Sequence, residues 1–223
     1  LHSTSRRQRQ MCIRDRNYQD DISLHYYLLA SKDGITIGKR YFKHENNKED
    51  YPFSPSGHNL YDNNSKLYYC RDFDNIVYQI HEDSVVPRFR INLPNPLPAS
   101  MIEERPNEMS LLRSGYSLGI TDIYEYGGLL FFRFVKDGYI WSCLYNVEES
   151  KQVYCAKRIK FLDSSLIDTI DGIYKDCFYS ILTPEYLDYA FSENPLEDYP
   201  DLFKTYDVEG DNPVIAFYRA VVR

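Results

Sequence analysis

Arg71, Asp72 and Asp74 lie in a short polar break between the apolar runs Leu67-Tyr68-Tyr69-Cys70 and Ile76-Val77-Tyr78-Gln79-Ile80. Charges placed where two strands turn face a rim, and rims carry ligands because their loops are free to vary. These three residues are the ligand-binding candidates of the chain. The competing reading is a solvated hairpin closed by a surface ion pair.

Other chemistry-bearing groups are less ordered in their spacing. Asp207, Glu209, Asp211 and Asn212 offer oxygen ligands for Ca²⁺ but lack the glycine and terminal glutamate of an EF-hand loop, so they read as a solvated turn before the last strand. Asp168 and Asp171 have the residue types of an acid–base pair. Three residues apart in a polar stretch, they are better suited to capping or turn formation. Ser56-Gly57-His58 is a turn by composition, and His25, His44, His58 and His81 show no ligand spacing. G-x-S-x-G, H-E-x-x-H, P-loop and G-x-G-x-x-G motifs do not occur. No catalytic residue, metal or cofactor is assigned. Cys70, Cys143, Cys155 and Cys177 form no C-x-x-C pair. They are expected to be small buried hydrophobes rather than a metal site or a disulfide frame.

The first sixteen residues stand apart. Arg6 to Arg16 resembles the in-frame translation of a transposase sequencing adapter, and residues 1–16 are set aside as non-native. The alternative is a basic arm for nucleic acid. Without the five arginines and one aspartate of that segment, the body keeps 21 basic and 32 acidic residues, a net charge of −11. Such a body repels phosphate backbones, so no nucleic-acid partner is expected, nor docking on an anionic membrane through a basic patch. No run approaches the length of a membrane span. With 43% hydrophobic residues, 22 Tyr and 12 Phe, the 223-residue chain can build a packed core and leans toward β structure.

Strand signals run from Ile22 to Ile159. An apolar run at 24–30, Lys32-Asp33-Gly34 and Ile35-Thr36-Ile37 predict a hairpin. Residues 59–93 predict a meander of four short strands, the last being Phe89-Arg90-Ile91-Asn92-Leu93. Pro87, at its start, places that strand at a sheet edge. The pattern recurs 63 residues on, with Tyr61 on Tyr124, Leu67-Tyr68-Tyr69 on Leu130-Phe131-Phe132, and Asp74-Asn75 on Asp137-Gly138. A repeated four-strand unit is the mark of radial repetition, as in the blades of a β-propeller. Residues 94–115 are read as a long inter-blade loop. Residues 129–135, apolar except for Arg133, predict a strand buried on both faces. Nearer the C-terminus, Thr183-Pro184 and Asn194-Pro195 predict helix starts, 177–182 a strand, and 214–218 a closing strand. The fold class is therefore all-β: blades of four antiparallel strands, about three of them, with short helices near the C-terminus.

Pro52-Phe53-Ser54-Pro55-Ser56-Gly57, Leu60-Tyr61, the two runs flanking Arg71 and the ending Glu209-Gly210-Asp211-Asn212-Pro213-Val214-Ile215 resemble the six-bladed β-propeller family of bacterial envelope proteins, many of them predicted lipoproteins. The resemblance covers nearly all of 18–222 and implies that 17–223 is the C-terminal part of such a propeller. It also implies a cell-envelope location, periplasmic or lipid-anchored. The expected function is a non-enzymatic binding or assembly module for an unknown protein or glycan. The alternatives are an envelope glycan hydrolase or lyase with channel carboxylates, and a truncated fragment without independent function.

Overall fold

The computed structural model describes residues 26–31, 37–43, 59–104, 106–157, 159–161, 164–167, 170–193, 206–207, 209–210 and 212–219. Two compact units divide the chain, Leu1–Pro52 and Phe53–Arg223. In the first, β1 (Tyr26–Ser31) pairs antiparallel with β2 (Ile37–Lys43), the hairpin expected around Lys32-Asp33-Gly34.

The second unit opens with a four-stranded meander: β3 (Leu60–Asn63), β4 (Lys66–Cys70), β5 (Ile76–Ile80) and β6 (Val85–Arg90). The outer strand begins at Val85, earlier than the alternation from Phe89 suggested. Pro87 sits within this strand opposite Tyr78, next to a register shift at Val77/Tyr78. A missing N–H is tolerated at an edge, so the edge assignment holds.

Residues 94–115 are not all loop. Two short helices, α1 (Ala99–Glu103) and α2 (Glu108–Leu112), lie there, the second capped by the Asn107 side chain, which accepts from the Ser110 N–H at 2.9 Å. The cap satisfies one of the first-turn donors a helix leaves open.

The second meander is β7 (Ser117–Tyr126), β8 (Leu129–Lys136), β9 (Tyr139–Asn146) and β10 (Lys151–Ala156), in the order β10-β9-β8-β7. Asp137 and Gly138 turn β8 into β9 with φ of 54° and 73°. Two central residues at positive φ match the twist of the flanking strands, as the Asp-Gly pair predicted. All of Leu129–Val135 is buried except half-buried Arg133. After a small hairpin, β11 (Ile159–Phe161) with β12 (Ser164–Ile167), the third sheet joins β13 (Gly172–Tyr174), β14 (Cys177–Leu182) and β15 (Val214–Tyr218). Among the described residues it has three strands, one fewer than the other two meanders. Helix α3 (Pro184–Glu193) starts where Thr183-Pro184 predicted, with Thr183 Oγ1 accepting from the Tyr186 N–H at 3.3 Å. The helix expected at Asn194-Pro195 lies outside the described residues, as do residues 1–16.

The first strands of the three sheets, β3, β7 and β13, approach one another, as the inner strands of radial blades do. One apolar core runs through all three sheets and α3, from Tyr61 and Tyr68 through Ile123 and Phe131 to Phe178 and Leu187. The inner edge of β7 needs a different solution. Its two-residue Gly127-Gly128 turn directs the Tyr124 and Tyr126 backbone toward β8 and leaves that of 123 and 125 facing away. Side chains and loops of the first sheet fill this edge. Asn63 Oδ1 accepts from the Glu125 N–H at 2.6 Å and its amide donates to Ile123 O at 3.4 Å. The Tyr61 hydroxyl donates to Thr121 O, the Ile120 N–H to Asp74 O at 3.1 Å, and the Ser117 N–H to Asn95 O at 2.8 Å. One repeat later, Tyr124 makes the equivalent bond to Asp171 O at 3.0 Å. Tyr61 and Tyr124 themselves meet edge to face at 6.0 Å.

Cys143 and Cys155 correct the expectation of unlinked thiols. They face each other across β9 and β10 and form a disulfide, while Cys70 and Cys177 are free.

Asn63→Ala would strand the partly buried Glu125 N–H. A loss of about 1–3 kcal/mol is expected, measured by urea unfolding.

Candidate functional site

Arg71, Asp72 and Asp74 lie on the β4–β5 turn, where the sequence placed them. Arg71 Nε donates to Asp74 Oδ2 at 2.9 Å, and the guanidinium also stands 5.9 Å from the centre of the Tyr78 ring. Burial disfavours the charged guanidinium, but the hydrogen bond and charge of Asp74 outweigh it and hold Arg71 above its usual pKa. The other Asp74 oxygen accepts from the N–H groups of Asn75 and Ile76 at 2.7 and 3.1 Å. Asp74 therefore organises the turn, and Arg71 stays 35% exposed on its side chain. The turn is seated against the second sheet, because an added Cβ at Gly119 would lie 2.7 Å from Phe73 Cα. Gly119 also has φ +93°, a conformation few side chains tolerate.

A second charged centre escaped the sequence reading. Glu125, on β7, accepts from Lys66 Nζ at 2.8 Å, from the Tyr68 hydroxyl and from Arg88 at 3.3 Å. Burial pushes its carboxyl up, yet the bonds from Lys66 and Tyr68 and the two cationic charges bring it below the usual glutamate value. Tyr68 is raised, first by burial and then by its bond to Glu125. Such an arrangement fixes an ionised carboxylate between sheets; a general acid would need the opposite shift. Arg133, the one charge inside the apolar run of β8, is matched by Asp122 across the strand pair at 2.7 Å.

Asp171 does not cap or close a local turn as expected: its carboxylate accepts from the Ile181 N–H of β14, ten residues on, at 2.7 Å. Asp168 lies outside the described residues, as do Ser56, His25, His44, His58 and Asp211. His81 is exposed in a turn, and Asp207 Oδ1 accepts from the Glu209 N–H at 3.1 Å.

A cleft of 250 Å³, which the sequence reading also missed, lies where the second and third sheets meet. Tyr126, Phe178 and Tyr218 supply aromatic walls, Gly127 and Leu129 the floor, and the Asp176–Arg219 ion pair a charged lip. Tyr126 and Phe178 meet edge to face at 6.3 Å. Burial pushes the Tyr218 hydroxyl up to about 12, so it remains a neutral donor. Ring faces beside a carboxylate and a guanidinium suit a small polar ligand with an apolar face, such as one sugar ring or a peptide side chain.

Two outcomes follow. Gly119→Ala is expected to destabilise the chain by about 2 kcal/mol or more, from combined clash and backbone strain, read as a lower Tm. Glu125→Gln should cost about 1–2 kcal/mol at neutral pH, since its partly exposed partners are screened by water. Because the folded carboxyl titrates below its unfolded value, that contribution is complete above about pH 4.3 and fades as pH falls through the folded value. Urea titrations of both proteins at neutral and acid pH should show their difference closing only in acid.

No curated protein matches the sequence. Among solved structures the chain is similar to a candidate exported protein from Bacteroides fragilis, with a TM-score of 0.65 and 15% identity over 90% of this chain. The chain spans 59% of that protein, and at this identity the likeness concerns the fold alone. Residues 10–165 match the profile of a family described as a 6-bladed β-propeller. With two consecutive four-stranded sheets, each joined to the next sheet by the same tyrosine contact, the chain belongs to the 6-bladed β-propeller family.

Proposed function

We propose that the chain is part of a non-enzymatic binding or assembly module of the bacterial cell envelope, with a glycan or protein segment as ligand. The cleft between the second and third sheets carries this reading, because it offers aromatic faces and a charged lip rather than an acid–base pair. The turn at Arg71, Asp72 and Asp74 is a second contact on the same reading, since Arg71 keeps part of its side chain at the surface. Two observations support the envelope. The Cys143–Cys155 disulfide suits an oxidising compartment, and the structural neighbour is a candidate exported protein.

The test is a panel of envelope oligosaccharides and peptides, scored for binding by calorimetry and for turnover by mass spectrometry. Binding without turnover is expected, weakened about tenfold or more by Tyr126→Ala and by Asp176→Ala. Turnover of any glycan, lost on replacing an Asp or Glu, would favour a hydrolase or lyase instead.

A further inference from the structure

Three features of the cleft between the second and third sheets bear on the charge of its ligand. The first is its walls. Tyr126 and Phe178 stand nearly perpendicular, at 86° with ring centres 6.3 Å apart, and Tyr218 adds a third ring to the lining. Ring faces carry partial negative charge and attract a cation that has shed its water. At 250 Å³ the cleft has room for about one side chain.

The second is the lip, whose two charges are held differently. Tyr174 pairs with Cys177 across the two-residue turn Lys175-Asp176, so the Asp176 backbone is fixed by β13 and β14 on either side. Arg219 follows the last residue of β15 and reaches Asp176 Oδ2 through Nη2 at 2.5 Å. With Arg219 71% and Asp176 51% exposed on their side chains, this ion pair contributes little to stability. Another cation can therefore displace the guanidinium from a carboxylate that stays in place. The third feature is the surrounding charge. The chain carries a net charge of −7, and the Glu148 carboxylate lies 3.2 Å from an added Cβ at Gly128, beside Gly127 of the cleft. The neighbouring cation, Lys175, is turned onto the Tyr174 ring at 5.2 Å, and that ring does not line the cleft. A negative surround draws cationic ligands in and repels anionic ones.

We propose that the cleft binds the side-chain ammonium of a lysine in a protein segment, seated among the three rings with Asp176 as its counter-ion, and that Arg219 holds Asp176 only until that ligand arrives. This rests on the reading of the cleft as a binding site and narrows its ligand from a glycan or protein segment to a basic protein segment. The methylene stem of lysine covers ring surface while its head meets the carboxylate. The ammonium of an amino sugar lacks such a stem, and its flanking hydroxyls would lose water among the rings without gaining partners. An anionic ligand could pair with Arg219 but would face Asp176 and Glu148.

The probe is the peptide acetyl-Gly-Lys-Gly-amide, titrated by calorimetry into the full chain against the same peptide acetylated on its lysine Nε and against glucosamine. The lysine peptide should bind, with Nε-acetylation weakening it about tenfold or more. Asp176→Asn should weaken it about tenfold as well, whereas Arg219→Gln should tighten it about threefold, because the internal competitor is gone. Both substitutions lie at the exposed lip, and the comparison of the two peptides needs no variant. Equal affinity for both peptides overturns the proposal, as do tighter binding of glucosamine and weakening by Arg219→Gln. If neither lysine peptide binds while a neutral oligosaccharide or peptide does, and that binding is lost in Tyr126→Ala, the lysine inference fails and the binding-module reading stands; if no ligand binds at all, both fail.

Discussion

The open inner edge of β7 is the constraint around which the second unit is arranged. A strand that starts a sheet has a partner on one side only, and backbone groups buried on the other side must bond elsewhere or cost about 1–3 kcal/mol each. Here the edge is closed by another sheet's side chains and loops in place of a neighbouring strand. Asn63 serves residues 123 and 125, Tyr61 serves 121, Asp74 serves 120, and the segment after β6 serves 117. These bonds are only available with the two sheets packed in one register. Burial of Tyr61, Tyr68, Val77, Ile123 and Phe131 between sheets supplies the driving force, and the polar edge selects the geometry.

The same device recurs one repeat on, where Tyr124 reaches Asp171 O as Tyr61 reaches Thr121 O. Repetition of one side-chain contact lets a sheet be added without a new solution each time, which is how radial folds grow. Function is then left to what differs between repeats. Position 126 is such a place: Asn63 at the equivalent position in the first repeat clamps backbone, whereas Tyr126 turns its ring to Phe178 and walls a cleft.

Much of this was legible in the chain itself. Tyr61 and Tyr124 stand at a fixed offset, Asp137-Gly138 announces its turn, Pro87 marks an edge, and Thr183-Pro184 starts a helix; each is a local rule acting on neighbouring residues. What escaped depends on partners distant in sequence. Asn63 looks like any hairpin residue until β7 lies beside it. Glu125 is one polar residue between two tyrosines, and its cations arrive from Lys66 and Arg88. The helices at 99–103 and 108–112 are too short to show a period. For Cys143 and Cys155 the local rule misleads. Counting pairs outward from the turn after Asn146 puts Tyr154 opposite Cys143, and only the bulge between Gln152 and Tyr154 brings Cys155 there.

Side chains and loops of the first sheet close the edge of β7. Native-state hydrogen exchange of the whole chain, resolved at the amides of Ser117, Ile120 and Glu125, tests this closure most directly. Each of these amides bonds to the first sheet or the segment that follows it, and none of these bonds is to β8. They should exchange only with the cooperative opening that also releases the amides of β8. Fast exchange at these three positions, with β8 still protected, would contradict it.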